Sequence, residues 1–344
     1  MSVFSSSGRR SAPARQRRSA PTRALSRARL RELIGEIGAI EEDSGAGTLD
    51  LGGGQPLDVS NLDKRFFPKR GYTKGDLMAY YASVSPFLLP AIADRPLVMK
   101  RFPNGVTGQS FYQQRAPEDP PAGVRVEPVA DEGLKTQQRL VGGDLTTLLY
   151  LVQLGAVSID PWHSRVQSVT DADYSIVDLD PGPRASFRRV IDVALWVGEE
   201  LDRLGLHAVP KTSGASGIHI VMPLVADTPN ETARLMAEIV ATRVAERHPG
   251  ATTVTRWVQS RPTSSVYVDF LQNIRGKTVA SVYSARATPD ATVSAPLRWN
   301  ELTPDLDPRA FTIETMGARL REVGDLWRDG MRRLNDPRRL LGDA

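Results

Sequence analysis

The 344-residue chain is 40% apolar, sets 44 Lys and Arg against 40 Asp and Glu, and contains no cysteine. No apolar run approaches the roughly 20 residues that cross a bilayer, and the arginine-rich start lacks the apolar stretch of a secretory signal, so a soluble intracellular protein with a substantial core is expected. Without cysteine there is neither a disulfide framework nor a thiolate-held metal, and any metal must be bound by oxygen or histidine.

Arg9, Arg10, Arg15, Arg17, Arg18, Arg23, Arg27, Arg29 and Arg31 all precede the first acid, Glu32, among Ser, Ala and Pro. Residues 1–24 therefore read as a basic disordered tail, serving either solubility or nonspecific attraction to phosphate. Leu30, Leu33, Ile34 and Ile37 have helical spacing, so 25–47 is expected to be a helical extension and linker ahead of a compact domain spanning 48–335, with 336–344 as a C-terminal tail. TLDLGGGQPLDVSN alternates apolar and polar residues around three glycines, as a hairpin does.

Thr73 and Asp76 have capping-box spacing and open a helix running towards Leu89. Further helices are expected from Asp144 to Gly155, from Ser186 to Leu204 with Gly205 closing it, and up to His248, the last with Thr228 as N-cap, Pro229 in the first turn and Glu231 as the capping acid. Short β-branched runs at 175–179, 218–224 and 265–271 lie between them. Helices and strands thus mix without repeat, and the fold class is α/β or α+β.

In IVDLDPG a strand of period two projects Asp178 and Asp180 from one face while Val177 and Leu179 enter the core. Two adjacent carboxylates repel unless a cation neutralises them, and hard oxygen donors suit magnesium or manganese. Asp269 in VYVDFLQN is a third candidate, and three acids suffice for a two-metal phosphoryl-transfer site. Alone, such a pair is equally a strand end meeting solvent. KTSGASGIHIVMPL adds Ser213, two glycines and His219 at a strand-loop-strand junction, where small residues let backbone N–H groups approach a phosphate; a glycine hairpin with a buried histidine is the alternative.

DxDP, SGxxGxH and VDxLQNxRGKT in this order resemble the polymerase domain of bacterial ATP-dependent ligase D, in the archaeo-eukaryotic primase superfamily. NLDKRFFPKRGYTKGDL, RPLVMKRFPNGVTGQSFYQQRAP, PWHSR and QNIRGKTVASVYSARATPDATVSAPLRW extend the resemblance from about residue 50 to 335. It implies an α+β catalytic unit of two packed modules, with an antiparallel sheet carrying the acids. It further implies primer extension from nucleoside triphosphates on gapped or broken DNA, with Asp178, Asp180 and Asp269 as catalytic ligands of Mn2+ or Mg2+. By the same resemblance Ser213 and His219 touch the triphosphate, and Arg261, Gln272 and Arg286 line the nucleotide and template side. Lys64 and Lys74 hold a 5′-phosphate, Lys100 and Arg101 approach nucleic acid, and Phe111 or Tyr112 stacks on a base or else packs in the core.

The sequence departs from the family pattern at Asp160, where histidine is common before the PW pair, and at Ser216 and Gln114, where lysine is common. Lys211 is followed by Thr212, Ser213 and Gly214, so it does not form the KxDG ligase nucleophile, and a stand-alone polymerase working with Ku and a separate ligase is expected. A catalytically weak DNA-end-binding module and a primase are the alternatives. A cytoplasmic, nucleoid-associated bacterial location follows from the resemblance.

Overall fold

The computed structural model describes residues 25–52, 56–130 and 136–341. The arginine-rich tail expected over 1–24 lies outside the described residues. Ser26 caps α1 (Arg27–Asp43) by accepting from the Arg29 N–H, and Leu30, Leu33 and Ile37 form its buried stripe. These three enter the same apolar cluster as Leu77 and Leu88, which joins the helix physically to the body that follows. β1 (Gly47–Asp50) pairs antiparallel with β2 (Pro56–Val59), the two arms of the hairpin pattern around the glycines.

β3 (Arg65–Phe67) and β4 (Tyr72–Thr73) are antiparallel across the FFPKRGY turn. The turn delivers Thr73 to α2 (Lys74–Ile92), where its hydroxyl accepts from the Asp76 N–H at 3.0 Å and the Asp76 carboxylate accepts from the Thr73 N–H at 2.9 Å. This reciprocal cap satisfies two donors that the first turn otherwise leaves bare. Beyond it lie β5 (Leu97–Arg101), β6 (Phe111–Gln113), the hairpin β7 (Val126–Val129) with β8 (Gln137–Leu140), α3 (Leu145–Gln153) capped by Asp144, and β9 (Ala156–Pro161). β5 is the centre of an antiparallel three-stranded sheet between β6 and β9.

The second module is built on β10 (Tyr174–Pro181), α4 (Phe187–Arg203), β11 (Val209–Thr212), β12 (Ile218–Pro223), α5 (Asn230–Arg247), β13 (Thr252–Thr253) and β14 (Val266–Asp269). The strand order is β11-β12-β10-β14-β13, antiparallel throughout except for the parallel β13–β14 pair. One face, carrying Val177, Leu179, Ile220 and Val268, packs on α4 and α5 through Val193, Val197, Met236 and Val240. On the other, Tyr174 and Ile176 belong to the apolar cluster shared with α2. The same alternation two and four residues later presents Asp178 and Asp180, so one strand runs from core into cleft without a change of period.

The start of α5 differs from expectation. Its N-cap is Pro229, with no side-chain cap; the Thr228 hydroxyl donates to the Val225 carbonyl, and Glu231 pairs with Arg234. Pro229 has an extended backbone, and the tight turn before it draws Thr228 backward. The last described elements are α6 (Met316–Val323), α7 (Leu326–Gly330) and α8 (Arg338–Leu341); Leu340 packs on the core of the five-stranded sheet, within the segment read from sequence as a tail.

Candidate active site and phosphate pocket

Strand register builds the acidic site. Asp178 on β10 lies opposite Asp269 on β14 and opposite His219 on β12, while His219 lies opposite Lys211 on β11. Directly opposed residues share a face, so Lys211, His219, Asp178 and Asp269 form one transverse row, with Asp180 two residues along. One carboxylate oxygen from each of Asp178, Asp180 and Asp269 falls within 4.8 Å of the others. Burial, then the charges of Asp180 and Asp269, pushes the Asp178 carboxyl well above the usual carboxylate range. Asp180 is raised by burial and by Asp269.

Asp269 is fixed from three sides: Oδ1 accepts from the Leu271 N–H at 2.7 Å and the Tyr267 hydroxyl at 3.1 Å, and Oδ2 from Gln272 Nε2 at 3.1 Å. Gln272, expected on the nucleotide side, is thus engaged in orienting an acid. By contrast, Asp178 Oδ1 is buried without a well-aligned hydrogen bond, although His219 Nε2 lies 3.3 Å away. An orphaned buried oxygen among three converging carboxylates fits a hard divalent cation, which supplies the charge the protein leaves uncompensated.

Beside the acids, Ser213 Oγ accepts from the Ala215 and Gly217 N–H groups at 3.1 and 3.0 Å. Those two donors are therefore spent inside the loop rather than pointing at a phosphate, whereas the serine's own proton remains to donate outward. Arg286 donates to the Ser213 carbonyl at 2.6 Å and acts electrostatically on Asp178, Asp180 and Asp160. Arg261 stacks over Tyr267 at 3.4 Å and donates to the Thr255 and Arg256 carbonyls, beside Asp180. Lys211 was missed as a site residue. Counting symmetrically outward from Ala215 in the hairpin pairs Lys211 with His219, the signal that would have found it.

A second, basic centre lies at the start of α2. Lys64, Lys74 and Arg101 line a cavity of about 240 Å³ with Ser60, Asn61 and Gln153. Lys74 donates to the Ser60 carbonyl and Gln153 Oε1, both at 2.8 Å, and Lys64 to the Pro103 carbonyl at 2.6 Å and Asn104 Oδ1 at 2.9 Å. Each ammonium keeps one proton beyond these bonds. Burial, helped by Lys64 and Arg101, lowers Lys74 to about 8.

Two neighbouring residues of the β5–β6 hairpin serve different surroundings. Arg101 opposes Phe111 and belongs to the basic cavity; Lys100 opposes Tyr112 and acts electrostatically on Asp160, which Arg286 and Lys211 also influence. Phe111 and Tyr112 are 47% and 68% exposed, which eliminates the core-packing alternative for both. Arg101 lies 5.3 Å from the Phe111 ring centre, and Lys100 5.4 Å from that of Tyr112.

At the positions that depart from the family pattern, Asp160 accepts from Ser158 Oγ at 2.8 Å and is raised by burial against the pull of Arg286. Ser216 is exposed on the loop, and Gln114 accepts from Arg139. His163, displaced past the PW pair, is buried and lowered to about 3 by burial and then Arg95; its ring packs 4.8 Å from Tyr174. Among the described residues no helix is long and apolar enough to cross a membrane.

An acid cluster at the centre of a largely antiparallel sheet, beside a glycine loop that leads into the strand bearing His219, is the arrangement that the primase-polymerase resemblance implies. Comparison with known proteins narrows the class. The family model described as "LigD, primase-polymerase domain" matches residues 73–327, and the chain belongs to that family. The bifunctional non-homologous end joining protein LigD of Bacillus subtilis is 32% identical over 269 residues, which cover 78% of this chain and 43% of that protein. The multifunctional LigD of Mycobacterium tuberculosis is 32% identical over 282 residues, 79% of this chain and 36% of that one. The chain thus spans about two-fifths of the curated relatives it matches. The polymerase domain of M. tuberculosis ligase D, solved in complex with DNA, superposes with a TM-score of 0.74 at 29% identity, over 82% of this chain and all of that one.

Proposed function

We propose that this chain extends a primer strand at gaps and broken DNA ends, transferring a nucleotide from a nucleoside triphosphate to the primer 3′-hydroxyl with release of pyrophosphate. The observation that carries the reading is the presence of two opposite like-charge centres on one molecule, three acids short of a cation and three basic groups short of an anion, with exposed aromatics on the hairpin that supplies Arg101 to the basic one.

Asp178, Asp180 and Asp269 hold manganese or magnesium, which when bound supplies positive charge for the reacting phosphate and lowers the pKa of the attacking hydroxyl. Tyr267, Gln272 and the Leu271 N–H keep Asp269 in the orientation that ligation needs. Ser213, His219 and Arg286 receive the triphosphate, His219 through Nε2 and Ser213 through its spare proton. Arg261 guards the template side near Asp180. In the basic cavity, Lys64, Lys74 and Arg101 bind the 5′-phosphate of the downstream strand, and a terminal dianion satisfies their remaining protons better than an internal phosphodiester does. Phe111 and Tyr112 stack on unpaired bases, a contact worth about 1–3 kcal/mol per base. The partners of this activity are Ku and a separate DNA ligase, and its place is the nucleoid.

Labelled-primer extension on gapped DNA, with manganese or magnesium and either ribo- or deoxyribonucleotides, tests the reading. Incorporation at the gap is the expected result. Tight gap binding without incorporation would instead identify a DNA-end-binding module, the reading that Asp160 and Ser216 favour by withholding positive charge from the nucleotide side. Synthesis without any primer would identify a primase.

A further inference from the structure

Trp257 and Val258 are each 74% exposed, more than any other large apolar side chain among the described residues. They stand on the connection between β13 and β14, on a turn that is held in place. Val258–Ser260 form a single 3-10 turn, and the Ser260 N–H donates to the Trp257 carbonyl at 3.0 Å. Arg261 fastens the turn by donating to the Thr255 and Arg256 carbonyls, both at 2.8 Å. The same guanidinium lies over the ring of Tyr267, whose hydroxyl donates to Asp269. Contacts thus run unbroken from the turn that presents the indole to a catalytic acid. Arg184 docks on this connection as well, donating from Nε to Thr263 Oγ1 at 2.9 Å. From Ala251 to Ser264 the chain carries two arginines and no acid, and among the described residues Arg184, Arg256 and Arg261 make no ion pair.

We infer that Trp257 is a stacking platform for a base near the 3′ end of the primer strand, with Arg184 and Arg256 beside it for that strand's phosphates. The choice of strand rests on the proposed nucleotidyl transfer and follows from the row of site residues, which has two ends. The glycine loop and His219, assigned to the triphosphate, occupy the β11–β12 end, and Asp269 on β14 marks the other. In-line displacement sets the attacking oxygen opposite the departing pyrophosphate. The 3′-hydroxyl therefore comes in from the β14 end, paired to the template strand that Arg261 faces, and the connection bearing Trp257 hangs from that end. A planar indole with a free face, flanked by unpaired guanidiniums, matches a nucleobase flanked by phosphates. Stacking accepts every base, as a repair polymerase working on arbitrary ends requires. This grip on the primer is independent of the 5′-phosphate on the downstream strand.

Primer–template DNA without a downstream strand keeps the basic cavity out of the measurement, and fluorescence anisotropy without triphosphate needs no turnover. Trp257→Ala should weaken binding of this DNA about five- to hundredfold, the range for losing one base–aromatic stack. Trp257→Phe should keep most of the affinity, because a ring remains. Making the terminal primer nucleotides abasic should weaken the wild type more than Trp257→Ala, which has no ring left to lose a partner. The protein has five tryptophans, and binding of the intact primer should quench an indole emission that Trp257→Phe removes. Equal affinity of the wild type and Trp257→Ala overturns the inference. So does an abasic penalty of the same size in both, which would give Trp257 a contact other than a base. If Trp257→Ala does not fold, the quench decides: its persistence in Trp257→Phe overturns the inference. Failure of the wild-type protein to extend a primer defeats the functional reading, whereas the binding cycle is judged without any extension.

Discussion

The acidic row and the basic cavity are mirror images in charge but are built by different means. The acids stand on strands whose ladder bonds fix their spacing, and Asp178 faces Asp269 because β10 and β14 are in that register. The cations of the cavity come from a loop, a helix start and a strand end at Lys64, Lys74 and Arg101, each tethered by bonds to carbonyls or side-chain amides. Regular structure suits the ion whose ligands must hold a tight geometry. Loops and caps suffice for a phosphate, which accepts donors from many directions. Both centres concentrate like charge, and part of the repulsion is relieved by the upward shift of Asp178 and Asp180 and the downward shift of Lys74.

The comparison breaks most sharply at the acids. Asp178→Ala with Asp180→Ala should reduce primer extension at least about a thousandfold, as loss of the electrostatic centre of a transfer reaction does. Binding of gapped DNA should stay within a few-fold, because the basic cavity is untouched. Residual extension near the wild-type rate would show that this row is not the reaction centre. In the wild type, manganese should raise the midpoint of thermal unfolding through binding linkage. The double variant should lose that rise, which differential scanning fluorimetry reads directly.

The next effect lies at the cavity. Gapped DNA with a 5′-phosphate should bind tighter than the same DNA with a 5′-hydroxyl by about 1–3 kcal/mol, the worth of charge-assisted hydrogen bonds, and Lys64→Ala with Lys74→Ala should erase the difference. Because Lys74 is lowered to about 8, its ammonium is present below that pH and lost above it. The preference for the 5′-phosphate should therefore weaken as pH rises through about 8, apart from the upward shift that bound phosphate itself causes, and Lys74→Arg should flatten the profile. Fluorescence anisotropy across pH would measure both. Equal affinities for the two DNA ends in the wild type would remove the cavity from the model of break recognition.

The smallest effect separates scaffold from site. Thr73→Ala deletes one half of the capping box beside Lys74 and should cost about 1 kcal/mol of stability in denaturant unfolding. Primer extension on DNA lacking a 5′-phosphate should hardly change. A large loss there would mean that the start of α2 also shapes the catalytic cleft.

How much was legible in the sequence follows the range of the forces involved. The strand alternation in IVDLDPG put Asp178 and Asp180 on one face, the Thr73–Asp76 spacing gave the cap, and Asp144, Ser186 and Gly205 marked helix ends, all through contacts among chain neighbours. The start of α5 was misread because the helix begins one residue later than the spacing implies, with Pro229 and not Thr228 at the N-cap, a shift set by the preceding turn that no spacing rule shows. The order of motifs was enough to identify the family, since each motif carries chemistry that its neighbours must complement.

Tertiary structure alone decided which partners met. It set Gln272 against Asp269 and turned the N–H groups of the glycine loop onto Ser213. It carried Arg101 into the cavity with Lys64 and Lys74, and it aligned Lys211 with His219, Asp178 and Asp269 across four strands. Alternation along a strand is fixed by the local backbone, but register between strands is chosen by burial of Val177, Leu179, Ile220 and Val268 against α4 and α5. That choice is made over the whole module at once. The residues of the site inherit it.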